Sequence, residues 1–197
     1  MKTTIYVLGL LLSLSWVSCK DNDGNILDDQ GLTAAQSEFL QVLYQEEKLA
    51  HDVYAAFYEV HAFHPFDHIS GSETQHMERV AGLMTTYGIE IPILEEGMFT
   101  VSEYQTAYDE WMQIGQDGLE ALKIGGYIEE LDILDLQEAY DTLEMPKDVR
   151  LALQDLLKGS ENHLRAFNRF MEMEYDYDYQ PQLMSRTQFE EIIGSWF

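Results

Sequence analysis

A carboxylate and an imidazole stand three positions apart at Glu73 and His76, inside a stretch with helical periodicity. Residues at i and i+3 project from the same side of an α-helix, so both side chains can reach one metal ion. One Glu-x-x-His pair is common by chance. Other helix-like segments add a second histidine, His163, and two acidic pairs, Glu46-Glu47 and Glu129-Glu130. A bundle that turns these groups inward has the ingredients of a carboxylate-bridged metal site.

The elements that must position these groups are helices, because helical periodicity dominates from Thr33 onward. Capping boxes at Thr33, Ser70 and Thr100 mark three helix starts. The predicted helices cover about 33–62, 70–87, 100–114, 119–143 and 147–174, and a last short helix after Pro181 ends at Phe197. Four long helices with shorter accessory ones predict an all-α four-helix bundle over residues 32–197.

A further group of histidines lies between the first two predicted helices. His61, His64 and His68 surround Pro65 in the stretch 61–68. Three histidines could form a metal cluster, but irregular spacing around a proline favours a loop. We therefore predict a loop here, and a second long connection over 89–98, which contains Pro92.

The first predicted helix carries one carboxylate inside its apolar stripe. Glu47 falls among the core positions, whereas Glu46 lies on the opposite border of the stripe. A carboxylate among core positions is strongly destabilising unless it is paired or bound to a metal. Glu47 is therefore the better ligand candidate of the two. Asp52 points almost directly away from the stripe and is predicted to be solvated.

In the second predicted helix, His76 sits in the middle of the apolar face and Glu73 borders it. A lone inward histidine is more often a hydrogen-bonded core residue than a ligand. Glu73 could also serve only as the N3 residue of the Ser70 capping box. That alternative does not explain His76, and an inward histidine with an inward glutamate three positions earlier favours a pair of metal ligands.

Two later helices supply the remaining candidates. His163 is central to the buried stripe of the helix over 147–174, and Ser160, not a carboxylate, stands three positions before it. Glu129 and Glu130 flank the apolar face of the helix over 119–143 on opposite sides. Periodicity favours Glu129 slightly, whereas a repeated Glu-Glu-x4-Asp pattern favours Glu130, so both stay candidates. Asp132, one turn from Glu129, could assist.

Composition limits the classes of function. The chain has 197 residues, 46% of them apolar, which suits one domain with a filled core. The formal charge is −25, from 36 acidic and 11 basic side chains. Nucleic acid is therefore excluded as a partner, because its phosphates need Lys and Arg to displace counterions. An acidic surface attracts cations. Serine-triad, P-loop and zinc-finger spacings do not occur.

The N-terminal residues read as an export signal. Lys2 precedes an apolar run too short to span a bilayer, so residues 1–18 are predicted to be a signal peptide. Cys19, the only cysteine, stands where a bacterial lipoprotein is acylated, and residues 19–31 form a polar tether. The acidic residues after Cys19 resemble surface-export signals of Bacteroidetes lipoproteins. We expect a lipid-anchored protein of the bacterial cell envelope, on the outer membrane or cell surface. Trp16 departs from the usual small or aliphatic residue before such a cysteine, so secretion with a free Cys19 is the alternative.

Four stretches together resemble a family of bacterial and archaeal ferritin-like proteins known mainly as a domain of unknown function. They are 46–54 (EEKLAHDVY), 72–77 (SETQHM), 128–133 (IEELDI) and 159–167 (GSENHLRAF). The resemblance spans about residues 34–192. It implies a ferritin-like four-helix bundle and a di-iron or di-manganese centre, built from one Glu on each of two helices and Glu-x-x-His on the other two.

The resemblance also implies roles for individual residues. Glu47 matches the first single Glu, with Tyr54 two turns on, and Glu73 with His76 matches a complete Glu-x-x-His. Glu129 or Glu130 matches the second single Glu, and His163 the second His. The departure is Ser160, which stands where the fourth helix would carry its carboxylate. A mononuclear or a degenerate site is therefore compatible with the sequence, as is a dinuclear one.

Two functions follow as hypotheses. The first is an iron or manganese protein that oxidises Fe(II) or reduces peroxide or O2, with Tyr54 donating a hydrogen bond to a metal-bound oxygen. The second is a non-enzymatic cell-surface scaffold or binding lipoprotein with a degenerate site. Its contact surface would include the aromatic and acidic segment 175–179. The sequence is also compatible with a homo-oligomer.

Overall fold

The structure, a computed structural model, describes residues 31–194 and folds them into six α-helices. These are α1 (Ala34–His61), α2 (His64–Thr86), α3 (Ser102–Ile114), α4 (Gly118–Thr142), α5 (Lys147–Tyr175) and α6 (Arg186–Gly194). The predicted all-α bundle is confirmed. The predicted signal peptide, the lipid attachment at Cys19 and almost all of the tether lie outside the described residues.

Four long helices form the bundle and two short ones cover it. α1 packs along α2, and α4 packs along α5. These are the two most extensive contacts between helices in the bundle. The two pairs meet where α2 contacts α5 and α1 contacts α4. α3 lies against α1 and α4, and α6 lies against α5. This arrangement brings one face of each long helix to a common interior.

The start of α1 follows the predicted capping box. The backbone N–H of Gln36 donates to Oγ1 of Thr33 at 3.3 Å, and the N–H of Thr33 donates to Oε1 of Gln36 at 2.7 Å. The helix ends where Ala62 adopts a left-handed conformation with φ of 53°. Both of these signals are local, which explains why the sequence predicted the bounds of α1 closely.

The predicted start of α2 was wrong. The helix begins at His64, with Pro65 in its first turn, where a missing N–H removes no intrahelical bond. Ser70 lies inside the helix, and its hydroxyl donates to the carbonyl of Asp67 at 3.0 Å. Glu73 is therefore not the third residue of a capping box. The stretch 61–68 is largely helical rather than a loop, and the rings of His64 and His68 lie 4.0 Å apart.

The predicted capping box at Thr100 is also absent, because α3 begins at Ser102 with Val101 as its N-cap. The backbone N–H and hydroxyl of Thr100 donate instead to Oε1 of Gln45, at 2.8 and 2.9 Å. A contact to a distant helix thus replaces the local bond that the sequence pattern suggested.

A layer of buried polar side chains divides the core into two apolar parts. One part contains Phe39, Leu43, Val80 and Leu156, and the other contains Tyr54, Phe66, Ile128 and Phe167. On α1, α2 and α5 the polar residues fall between the two, and on α4 they lie next to the boundary. The layer consists of Glu46, Glu47, Glu73, His76, Glu129, Glu130, Asp132, Ser160 and His163, all at most 9% exposed.

The prediction that Asp52 is solvated was wrong, since its side chain is buried. Asp52 forms an ion pair with Lys48, contacts Nδ1 of His51 at 2.9 Å and accepts the backbone N–H of Gly97 at 2.8 Å. Burial alone would raise the pKa of Asp52, but these hydrogen bonds lower it. The residue anchors the connection after α2 to the outer side of α1, a surface that the helical pattern assigned to solvent.

Across residues 31–194, no helix combines the length and apolarity that a bilayer crossing requires.

Candidate metal centre

Five predicted ligands from four helices meet in the polar layer. Glu47 comes from α1, Glu73 and His76 from α2, Glu129 from α4, and His163 from α5. The three carboxylates are at most 1% exposed, and the two imidazoles are 8–9% exposed. The predicted convergence of these residues is therefore found in the fold.

Glu73 lies at the middle of the group and contacts both histidines. Its Oε2 is 2.7 Å from Nδ1 of His76, and its Oε1 is 2.8 Å from Nδ1 of His163. On the outer sides, Oε2 of Glu47 is 3.1 Å from Nδ1 of His76, and Oε2 of Glu129 is 3.4 Å from Nδ1 of His163. Each imidazole thus faces two carboxylates.

The contacts define two triads that share one carboxylate. Glu47, Glu73 and His76 form the first, and Glu73, Glu129 and His163 form the second. In each triad the potential ligand atoms lie within 4.8 Å of one another. The two imidazole rings are 5.4 Å apart between centroids. The arrangement suits two metal ions side by side, with Glu73 able to contact both.

Both rings present Nδ1 to the carboxylates, and each Nε2 faces a neighbouring helix. Nε2 of His163 contacts Oγ of Ser72 at 2.9 Å. Nε2 of His76 lies over Gly159, where an added Cβ would stand only 2.5 Å away. Outer contacts of this kind fix the orientation of a ligating imidazole. Ser72 and Gly159 both fall within the stretches on which the family resemblance rests.

Charge is unevenly distributed among the ligands. Burial alone would lower the pKa of His76, but hydrogen bonds to Glu47 and Glu73 raise it to about 10. Burial likewise opposes protonation of His163, yet the charges of Glu129 and Glu73 raise its pKa well above the usual range. These shifts favour the positively charged form of both imidazoles at neutral pH, with a proton on each ring nitrogen, which balances part of the buried negative charge.

The pKa values of the carboxylates shift in opposite directions. Burial favours the neutral form of Glu73, but the charge of His163 and its hydrogen bonds lower the pKa of Glu73 to about 2. Burial dominates at Glu47 and raises its pKa to about 7. Glu73 is thus the firmly ionised member at the centre of the group.

The donor set fits a transition metal. A ring nitrogen carries at most one hydrogen, yet Nδ1 of each histidine lies against two carboxylates, as the ligands of a shared cation would. Oε1 of Glu47 and Oε2 of Glu129 are buried and have no hydrogen-bond partner among residues 31–194. Mixed carboxylate and imidazole ligands suit iron and manganese, and also zinc.

Tyr54 supports the site from within α1. Its hydroxyl, fully buried, donates to Oε1 of Glu129 at 2.6 Å. Burial, followed by the charge of Glu129, raises the pKa of Tyr54 well above 10, so the phenol remains a donor. The predicted partner was a metal-bound oxygen, but the hydroxyl is directed at a carboxylate instead. Tyr54 therefore orients Glu129.

Glu130 does not join this group. Its carboxylate accepts the hydroxyl of Tyr179 at 2.7 Å. It also accepts the backbone N–H groups of Gln182, Leu183 and Met184 at 2.7–2.9 Å. Glu130 therefore anchors the segment that connects α5 to α6, and the geometry favours Glu129 as the ligand from α4.

The position opposite Glu73 on α5 carries no carboxylate. Ser160 is buried and its hydroxyl donates back to the carbonyl of Leu156 at 3.3 Å. Asp132, which is 2% exposed, brings another carboxylate into the polar layer from α4. Its charge interacts with those of Glu129 and Glu73. The sequence already indicated that Asp132 could lie near Glu129, because the two residues are three positions apart on one helix.

The chain resembles known proteins along most of its length. The family model described as "Uncharacterized protein domain (DUF2202)" matches residues 36–196. The uncharacterised protein MJ0754 of Methanocaldococcus jannaschii is 35% identical over 172 residues, which cover 86% of this chain and 92% of the relative. The crystal structure of hypothetical protein MJ0754 superposes with a TM-score of 0.81 at 35% identity, covering 86% of this chain and 98% of that chain. None of these descriptions states an activity.

Proposed function

This chain belongs to the DUF2202 family, and we propose that it is a ferritin-like protein that binds two iron or manganese ions in its polar layer. The ligands would be Glu47, Glu73 and His76 for one ion, and Glu73, Glu129 and His163 for the other. The observation that carries this proposal is the pair of triads sharing Glu73. A hydrogen-bonded core histidine needs one acceptor, whereas each imidazole here meets two buried carboxylates.

When bound, a pair of iron or manganese ions would supply electrons to O2 or peroxide, and iron itself would be oxidised from Fe(II). The protein residues would hold and shield that pair. Glu73 bridges the two ligand sets, while Tyr54 keeps Glu129 oriented through its 2.6 Å hydrogen bond. The aromatic rings of Phe66 and Phe167 pack against Tyr54, at 6.1 and 5.2 Å between centroids. These rings keep water from that side of the site.

Proton movement would be part of loading. His76 and His163 hold protons on the Nδ1 atoms that face the carboxylates, and those protons must leave before the nitrogens can bind a metal. Glu47, whose pKa is raised to about 7 by burial, must also be ionised to act as a ligand, so any proton that it holds is released as well.

Location in the cell envelope is part of the proposal. A lipid on Cys19 would tether the bundle to a bacterial membrane through residues 19–31, since the apolar run before Cys19 has signal-peptide length. Mass spectrometry of the protein isolated from membranes would find a diacylglycerol-modified N-terminal cysteine. An unmodified Cys19 in the mature chain would contradict the anchor but not the metal site.

The direct test is the metal content of protein purified without chelators and then loaded anaerobically with Fe(II) or Mn(II). We expect two ions per chain, and we expect Glu73→Gln to lose both because it serves both triads. Glu78→Gln is the matched control, since Glu78 lies on the exposed side of the same helix. Wild-type protein without transition metal after loading would overturn the proposal. A non-enzymatic scaffold with a degenerate site would then remain.

A further inference from the structure

A row of carboxylates leads along α4 from the proposed centre toward the surface. Glu129, Asp132, Asp135 and Glu138 follow one another at three-residue spacing, so each lies about one turn further along the helix and about 60° further round it than the one before. Exposure increases along this row. Glu129 and Asp132 are 0% and 2% exposed, Asp135 is half-buried and Glu138 is exposed. Glu46 of α1 adds a carboxyl group beside it, and burial together with the charge of Asp135 raises the pKa of Glu46.

The outer half of this row opens into a cavity between α1 and α4. The cavity measures about 10 Å³, and Glu46, Asp135 and Glu138 line it together with Phe39 and Leu43. That volume holds about one water-sized particle. A single cation that had shed most of its water could therefore stand in this cavity, with the carboxyl groups of Glu46, Asp135 and Glu138 and the apolar side chains of Phe39 and Leu43 around it.

The inner half of the row contains polar atoms that the protein itself leaves without partners. Neither side-chain oxygen of Asp132 has a hydrogen-bond partner among residues 31–194, although both are buried. The hydroxyl of Tyr104 of α3 is also buried and without a hydrogen-bond partner among residues 31–194. The charged groups that act on Tyr104 are led by Glu46, Asp135 and Asp132.

Leaving such groups unpaired in a core is destabilising, and acidic groups this close repel one another. A purely structural role does not explain them, because an amide or an apolar side chain would fill the same positions at lower free energy. A divalent cation would satisfy them. Oxygen ligands alone suit hard divalent ions, whereas the mixed carboxylate and imidazole ligands of the centre bind iron or manganese more tightly. The difference in affinity would move a cation inward.

We propose that Glu138, Asp135, Glu46 and Asp132 form a cation-uptake path, with a transient divalent-cation site at Asp132 and Tyr104, that loads the metal centre from the cavity between α1 and α4. This inference rests on the proposed function, since it takes the centre as the destination. Binding along the path is weak enough for the ion to leave, because these residues supply oxygen ligands but no imidazole.

The test is the rate at which metal-free protein takes up Co²⁺, followed by stopped-flow absorbance of the visible ligand-field bands. Metal analysis gives the final content of the same samples. Asp132→Asn and Asp135→Asn keep side-chain shape and remove charge from the path. We expect each to slow uptake by about tenfold or more, since a lined path concentrates cations by at least that factor. The final content should stay at the wild-type value.

Asp155→Asn is the matched control, because it removes the same charge from a side chain that is 75% exposed on α5. It should load at the wild-type rate. Circular dichroism establishes that the variants are folded, and Asp135→Asn, at a half-buried position, provides the test should Asp132→Asn fail to fold.

The outcomes separate this inference from the proposed function. Wild-type protein that takes up no Co²⁺ would overturn both. Wild-type protein that loads fully, with both path variants loading equally fast, would overturn only the uptake path. A lower final content in Asp132→Asn at unchanged rate would also overturn it and make Asp132 a ligand of the centre instead.

Discussion

Gly159 lies so close to the imidazole of His76 that a Cβ on the glycine would stand 2.5 Å from Nε2 and 2.6 Å from Cε1. A glycine inside a helix is destabilising relative to alanine. Its presence in the middle of α5 is explained by the ring that it accommodates. The contact sets how deeply His76 enters the polar layer, and therefore where Nδ1 meets Glu47 and Glu73.

Replacing this glycine should damage the site more than the fold. In Gly159→Ala the new methyl group displaces the ring of His76, so we expect at least one metal ion per chain to be lost or bound much more weakly. Equilibrium titration with Co²⁺ measures the change. Gly82→Ala is the control, because nothing lies within 4 Å of its added Cβ on α2. It should gain about 0.5–1 kcal/mol of stability and keep its metal. Unchanged metal binding in Gly159→Ala would refute the role of this contact.

Removing the Tyr54 hydroxyl should destabilise the metal-free protein. Tyr54→Phe leaves Oε1 of Glu129 without its 2.6 Å donor in a fully buried position. We expect a loss of about 1–3 kcal/mol in the free energy of unfolding, measured by urea denaturation. Tyr58→Phe removes a hydroxyl from a half-buried position on the same helix and should change stability less. Equal effects of the two substitutions would argue against the orienting role of Tyr54.

Metal binding should release protons. The pKa of His76 is raised to about 10 by hydrogen bonds to Glu47 and Glu73, and the pKa of His163 is raised well above its usual range. Each imidazole must lose its Nδ1 proton to bind a metal, and the fraction of Glu47 that is protonated must ionise, so we expect at least about two protons released when both ions bind at pH 7. Calorimetric titration in buffers of different ionisation enthalpy measures the number. Release of no protons would place the metal away from the two histidines.

The stability of the metal-free protein should depend on pH in a defined direction. Because the folded-state pKa of His76 is about 10, its contribution is fully present below pH 6.5 and is lost as the pH rises toward 10. Glu47, with a pKa raised to about 7 by burial, loses its contribution between pH 4.5 and 7. Glu73, with a pKa of about 2, behaves oppositely and loses its contribution only as the pH falls from 4.5. Thermal unfolding in a chelating buffer should therefore show Tm falling between pH 6.5 and 10. A rising Tm over that range would contradict the assigned protonation of His76.

Glu130 should be separable from the metal site. Glu130→Gln replaces the carboxylate that accepts hydrogen bonds from the hydroxyl of Tyr179 and from backbone N–H groups of the segment between α5 and α6. We expect faster proteolytic cleavage between residues 175 and 186, because that segment loses its anchor. Metal content should be unchanged, whereas Glu129→Gln should lower it with no effect on cleavage. The opposite pattern would make Glu130 the ligand from α4.

The sequence was sufficient to predict the bundle because apolar periodicity and caps are local. The Thr33 capping box and the positions of Glu47, Glu73, His76 and His163 on inward faces all follow from spacing within one helix. Prediction from the sequence was wrong where a contact with a distant part of the chain replaced a local one. Thr100 donates to Gln45 rather than capping α3, and Asp52 is covered by a connection that no helical pattern describes.

The sequence by itself determined which side chains face the interior, because a helix fixes direction around its own axis at 3.6 residues per turn. It left Glu129 and Glu130 equivalent, since both flank the same face. Only the tertiary structure separated them, by placing α1 and α5 beside Glu129 and the segment after α5 beside Glu130. It also decided that Glu73 contacts both histidines, because the distances between side chains of different helices depend on how those helices pack and not on spacing within either one.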